Sequence, residues 1–191
     1  MEKIPILLFT VIVLRQVSKM EIKGMLQVIT GGMFSGKSEE LKRRINRYRF
    51  ANKTVQVYTH MLDSRKERSI HAIKIQSIDE IEPQYDVIAI DEMQFFTGSN
   101  NHKTVSTLVD IAMTKIVIVS GLDMDFSGEP FMLMASLMAR ADFVNKLHAV
   151  CMECGEEATF SYTESEVNGF LVGNKEYKAL CRKCYYNKKV L

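Results

Sequence analysis

The sequence predicts an α/β fold: a parallel sheet with helices on both faces, plus a small C-terminal lobe built on a metal. Three observations carry that expectation. Short Val- and Ile-rich runs alternate with longer amphipathic stretches, the pattern of strands joined by crossover helices. One such run leads directly into Gly31-Gly32-Met33-Phe34-Ser35-Gly36-Lys37-Ser38, which has the spacing of a phosphate-binding loop set between a strand and a helix. All four cysteines fall beyond residue 150, in two pairs.

Strands are predicted at 25–30, 54–58, 86–90 and 115–120. Three of these are nearly continuous apolar runs, which suits strands buried on both faces. The stretch from Glu39 to about Ala51 predicts a helix, with Leu41, Ile45 and Tyr48 on one face. Its Lys42, Arg43, Arg44, Arg47 and Arg49 then form the solvated face. Residues 97–103 read as a loop. Helices are predicted at 104–113 and at 130–141, the latter with Pro130 in its first turn. Composition changes near Val150, dividing the chain into residues 25–150, a nucleotide-binding α/β domain of the P-loop NTPase type, and residues 151–191, a zinc-binding lobe.

Bulk properties exclude several classes. The chain has 191 residues, is 47% hydrophobic and 25% charged, and carries a net charge of only +2. That is an ordinary globular composition, and the charge is too small to argue for direct nucleic-acid binding. The apolar run from Ile4 to Leu14 falls short of the ~20 residues a spanning helix needs, and no small-residue cleavage site follows it. Residues 1–24 are therefore expected to be an accessory or disordered extension, with a start at Met20 or Met25 in view. The expected setting is cytoplasmic, without membrane association.

In the phosphate loop, Gly31, Gly32, Met33, Phe34, Ser35 and Gly36 would bring backbone N–H groups against the phosphates of a nucleotide. Lys37 would neutralise phosphate charge and Ser38 would offer its hydroxyl to Mg²⁺. Asp91-Glu92 closes the apolar strand 86–90, and ligands of open α/β sheets sit at that strand end. Asp91 would help hold Mg²⁺ opposite Ser38. Glu92, beside it, suits a general base for an attacking hydroxyl or water. Cys151-x2-Cys154 and Cys181-x2-Cys184, 26 residues apart, supply four thiolates to a tetrahedral Zn²⁺ with no open position, hence a structural site. A lobe of about 40 residues has little core of its own and would depend on that metal. Between the pairs lies Phe170-Leu171-Val172-Gly173-Asn174-Lys175-Glu176-Tyr177, which reads equally as a lid over a flat ligand and as a structural hairpin.

Taken together, these motifs resemble the zinc-containing, cytosolic (type II) thymidine kinases. The resemblance runs from about Leu26 to Tyr185 through Gly31 to Ser38, Asp63-Ser64-Arg65, Asp91-Glu92-Met93-Gln94-Phe95-Phe96, Gly121-Leu122-Asp123-Met124-Asp125-Phe126, Gly128-Glu129-Pro130-Phe131 and the cysteine pairs. It implies transfer of the γ-phosphoryl group of ATP to the 5′-hydroxyl of thymidine or deoxyuridine, for DNA precursor salvage. On that basis Glu92 is the base. Met33, Phe95, Leu122, Phe126, Phe131, Ser161, Phe170, Leu171, Val172, Gly173 and Tyr177 line the nucleoside pocket, and Asp63, Arg65 and Gln94 have phosphate or structural roles. The resemblance further implies Mg²⁺ with ATP, structural Zn²⁺, a homotetramer and feedback inhibition by dTTP.

The chain departs from the family pattern at Ser127 and Thr163, where Arg is common, and at Ser161, where Thr is usual. It is shorter than usual between Asp63 and Asp91 and longer after Phe96. Two other readings stay open on the residues alone. One is a P-loop ATPase whose zinc lobe binds nucleic acid or protein. The other is a non-catalytic nucleotide-binding paralogue.

Overall fold

A computed structural model describes residues 23–63, 70–98, 100–164 and 177–189. Six strands form one parallel sheet: β1 (Met25–Gly31), β2 (Val55–His60), β3 (Ile73–Ile75), β4 (Val87–Asp91), β5 (Ile116–Gly121) and β6 (Phe143–Leu147), in the order β3-β2-β4-β5-β1-β6. The central strands are buried along almost their whole length. That is why they read as unbroken apolar runs.

The side-chain period of two sorts each strand between two cores. Leu26, Val28, Ile88, Ile90, Val117 and Val119 face one side. There they pack with Val105 and Leu108 of α2 (Asn101–Ala112) and Leu133, Met134 and Leu137 of α3 (Met132–Arg140). Ile29, Val57, Val87, Ala89 and Ile118 face the other, under Leu41 and Ile45 of α1 (Lys37–Phe50). The predicted α/β layering is thus present, with helices on both faces.

A third, smaller cluster unites Ala149, Cys151, Ala158, Phe160, Ala179, Leu180 and Tyr185. It is built from two antiparallel pairs, β7 (Ala149–Val150) with β8 (Glu157–Ala158) and β9 (Phe160–Tyr162) with β10 (Lys178–Leu180), and from α4 (Arg182–Lys189).

Several boundaries differ from the sequence expectation. Helix α1 starts at Lys37 rather than Glu39 because the phosphate loop itself turns into the helix. Helix α2 starts at Asn101, three residues before the predicted start, because the Asn100 side chain accepts from Lys103 N at 3.3 Å and caps the turn. Pro130 is not in the first turn of α3. It pairs with Met124 in an isolated bridge, and Phe131 N donates to Asp123 O at 2.9 Å, so the chain stays extended until Met132. Strands β3 and β6 were not predicted. β3 is three residues long, and β6 alternates exposed and half-buried positions at a sheet edge, so neither shows an apolar run.

Helix α1 is fastened to the sheet by polar groups as well as by its apolar stripe. Gln27, in β1, donates to Tyr48 Oη at 2.8 Å and accepts from Arg44 Nη1 at 2.8 Å. Arg44 also meets Glu40 at 2.8 Å, and Arg43 meets Glu40 at 2.6 Å. Hydrogen bonding from Arg43 holds the Glu40 carboxyl down at about 2, with Arg44 adding to it against the upward push of partial burial. A depressed carboxyl adds stability that is complete above its ordinary 4.5 and is lost as pH falls towards 2. Glu40→Gln should therefore cost about 0.5–1 kcal/mol at neutral pH, given solvent screening of the exposed Arg43. In urea unfolding, the gap from the parent should stay level from about pH 7 to 5.5 and shrink steadily below 4.5.

Candidate active site

The site forms where β1, β4 and β5 end. Strand β1 delivers the phosphate loop at the centre of the sheet. Gly31 has φ +139, and a Cβ there would lie 2.2 Å from Leu147 O, so the loop leaves β1 through a gap only glycine fits. Ser35 Oγ and Lys37 Nζ both donate to Gly32 O, at 2.8 and 2.7 Å, closing the loop on itself. Helix α1 begins at Lys37 after Gly36, with no side-chain cap. A helix start built this way is suited to an anion.

Asp91 is the last residue of β4, 9% exposed. Its Oδ2 lies 3.5 Å from Ser38 Oγ, although 53 residues separate them in sequence. The fold therefore brings a hydroxyl and a carboxylate face to face at the mouth of the loop. Glu92 follows in a left-handed conformation, φ 56, and starts a 3₁₀ turn over Met93–Phe96. That conformation is unusual for a residue other than glycine, and such residues collect at functional sites.

The four cysteines converge. Their sulfurs all lie within 4.8 Å of one another, and Cys154 and Cys181 are 3.6 Å apart. Zinc–thiolate bonds of about 2.3 Å in a tetrahedron place sulfurs roughly 3.8 Å apart, so the donor set fits zinc in both chemistry and spacing. Burial pushes the Cys151 thiol up, but hydrogen bonds from the backbone around Cys181, Glu153 and Cys154 outweigh it and hold the thiol at about 6. Cys184, crowded by the Cys154 and Cys181 thiols, is pushed up to about 12. Cys151 forms a thiolate readily while Cys184 resists, a repulsion that a divalent cation relieves.

A family model described as thymidine kinase matches residues 24–185. The chain belongs to the thymidine kinase family. It is 39% identical over 178 residues to a thymidine kinase of Bacteroides thetaiotaomicron, covering 85% of this chain and 87% of that protein. It is 38% identical over 177 residues to a thymidine kinase of Porphyromonas gingivalis, covering 85% of each. Among solved structures, the flagellar accessory protein FlaH of Methanocaldococcus jannaschii superposes with a TM-score of 0.52 at 15% identity, over 70% of this chain and 75% of that one. That likeness concerns the fold alone.

In this thymidine kinase-family chain, the residues expected around a nucleoside are distributed over five segments, one of them the phosphate loop with Met33. Phe95 is half-buried in the turn after Glu92, with its ring 6.4 Å from that of His60. Leu122, Phe126 and Phe131 lie on the segment after β5, which Phe131 N→Asp123 O and Asp125 N→Glu129 O close at 2.9 Å each. Ser161, 3% exposed in β9, accepts from Met33 N at 2.9 Å, so it joins the metal lobe to the phosphate loop. Tyr177 is half-buried just before β10. Asp63 is buried and accepts from Thr59 Oγ1 at 3.1 Å. Gln94 is buried beside Glu92 and bonded to it. Arg65, Phe170, Leu171, Val172, Gly173 and residues 1–22 of the N-terminal extension lie outside the described residues.

The sequence reading assigned no role to four residues that build this region. Asp123, buried after β5, pairs with Lys146 of β6 at 2.7 Å and so bridges the strands flanking β1. Its signal was present, an acid following an apolar strand as Asp91 does. Lys146 had none, because β6 was not foreseen. His60, 4% exposed at the end of β2, packs its ring edge-on to Phe96 at 4.7 Å, and burial lowers its pKa. Tyr185 donates to Phe126 O at 2.7 Å and stacks on Phe160 at 4.4 Å.

Stripping metal with a chelator under reducing conditions should accelerate hydrogen exchange first in residues 149–162 and 178–185. The central strands β1, β4 and β5 should respond later, because their cores are independent of the cysteines. Unchanged exchange in the lobe after metal loss, confirmed by elemental analysis, would remove the metal from its structural role.

Proposed function

We propose that this chain transfers the γ-phosphoryl group of ATP to the 5′-hydroxyl of thymidine, with deoxyuridine as an alternative acceptor. The observation that carries the reading is the meeting of Ser38 and Asp91 at the mouth of the phosphate loop, with Glu92 next to them, in a chain of the thymidine kinase family. Phosphoryl transfer asks for alignment, charge neutralisation and a place for the nucleophile's proton.

A group can be named for each requirement. Residues 31–38 supply backbone N–H groups for the triphosphate, and Lys37 supplies positive charge. Ser38 and Asp91 would hold Mg²⁺, which when bound offsets the charge of the phosphate oxygens. Glu92 would accept the proton of the 5′-hydroxyl. Met33, Phe95, Leu122, Phe126, Phe131, Ser161 and Tyr177 would shape the nucleoside pocket. Zn²⁺ on Cys151, Cys154, Cys181 and Cys184 would brace the lobe that holds Ser161 and Tyr185 against this site.

The same reading includes dTTP as a feedback inhibitor and a homotetramer, for which the exposed Phe143 and Val144 on edge strand β6 offer a contact. The four cysteines form no disulfide, which suits a reducing, cytoplasmic setting. Among the described residues no helix is long and apolar enough to cross a membrane.

The test is ATP consumption with Mg²⁺, with and without thymidine, with product analysis. ADP formation that requires thymidine and matches thymidine monophosphate is the expected result. ADP formed equally without thymidine would replace the reading by an ATPase, and silence from folded, zinc-loaded protein would replace it by a non-catalytic relative. Glu92→Gln should retain ATP binding and lose turnover by about 10²–10⁴-fold. Near-normal turnover in that variant would take the proton-accepting role away from Glu92.

A further inference from the structure

Two residues beyond Glu92, the Gln94 side chain is 1% exposed. Its carboxamide joins two elements. Nε2 donates to Glu92 Oε2, and Oε1 accepts from Leu122 N at 3.0 Å. The orientation of the amide follows from its partners. Leu122 N–H can only donate, so the amide oxygen must face it, and the NH₂ is left facing the carboxylate.

The space for this arrangement is provided by Gly121. A Cβ there would stand 2.8 Å from Gln94 Oε1 and 3.0 Å from Met134 Sδ, so the end of β5 is cut back to admit the amide. Glu92 has reason to need a hold. With φ 56 it occupies a sparsely populated region, in which a non-glycine residue persists only when its surroundings determine it. A planar group bonded at both ends cannot shift at one end without straining the other.

We propose that Gln94 is a positioning residue. It aims the Glu92 carboxylate through its N–H and ties that aim, through its oxygen, to the segment after β5 that carries Leu122. Base and nucleoside contact are thereby held in register by one side chain. The inference rests on the reading of Glu92 as the proton acceptor.

The two ends of the amide can be tested separately. Gln94→Glu keeps shape and an acceptor for Leu122 N but sets a second carboxyl against Glu92 in place of the amide donor, whereas Gln94→Met removes both amide ends without adding charge. Each is compared with the parent, with Glu92→Gln and with the Glu92→Gln/Gln94→Glu double variant. The readouts are kcat, KM for thymidine and the Kd of a non-hydrolysable ATP analogue.

Misplacing a catalytic group by about 1 Å costs on the order of 10²-fold. Gln94→Glu should therefore lose kcat by about ten- to a hundredfold while analogue Kd stays within about threefold. In the Glu92→Gln background the same change should cost less than about threefold, because the group it aims is already gone. A kcat for Gln94→Glu within about threefold of the parent would overturn the proposal, as would losses that multiply in the double variant. Should Gln94→Met fail to bind the analogue, Gln94→Glu decides. Failure of both to bind would make Gln94 a fold-holding residue only, and would equally overturn it. Near-normal turnover in Glu92→Gln is a different failure, that of the base reading, and it is visible without any change at Gln94.

Discussion

Everything at this site depends on one constraint: the central strands of a parallel sheet covered on both faces have no exposed side on which to place polar groups. β1, β4 and β5 are buried almost throughout, so chemistry is confined to the line along which they end. Parallel pairing brings those ends to the same edge. The phosphate loop follows β1, Asp91 and Glu92 follow β4, and Leu122 and Asp123 follow β5. Ser38 and Asp91 come to 3.5 Å because hydrogen bonding in β4-β5-β1 order places their strands two steps apart, about 10 Å across the sheet, a gap their loops and side chains close.

The second dependence is on the metal lobe. Its own apolar cluster is small, and Tyr185 is its largest fully buried side chain. Yet among the described residues the lobe is hydrogen-bonded to the edge that carries the candidate site at three points. Ser161 accepts from Met33 N in the phosphate loop, Tyr185 donates to Phe126 O, and Lys189 donates to Ser127 O at 2.5 Å. Rigidity that four thiolates would supply around one ion would thus reach backbone proposed to contact phosphate and nucleoside. Ser127, where the resemblance leads to an expected Arg, falls at one of these contacts. There the lobe meets the main-chain carbonyl, and the Ser127 hydroxyl instead donates to Asp125 Oδ1 at 2.6 Å.

A third feature is that two of the groups proposed for catalysis meet carbonyl and amide partners. Lys37 folds onto Gly32 O, and Glu92 is bonded to the Gln94 amide. The ion pair between Asp123 and Lys146 stands one strand away and braces the edge.

What the sequence determined by itself was whatever depends on local order. The phosphate loop, the buried strands at 25–30, 86–90 and 115–120, the acid pair and the cysteine spacing are short contiguous patterns, each with a physical reason to be contiguous. The α/β layering followed from their alternation. Tertiary structure decided what depends on neighbours distant in the chain. Edge strands β3 and β6 exist because β2 and β1 offer open hydrogen-bonding edges, not because Ile73–Ile75 or Phe143–Leu147 carry a strong strand pattern. Pro130 was diverted from its helix by a bridge to Met124. The Gln94 amide could be seen in the sequence, but its two partners could not, since Leu122 lies 28 residues further on and meets it only through the pairing of β4 with β5. Lys146 and Tyr185 were silent for the same reason: a hydrogen-bonding side chain acquires a role only when folding decides what it faces.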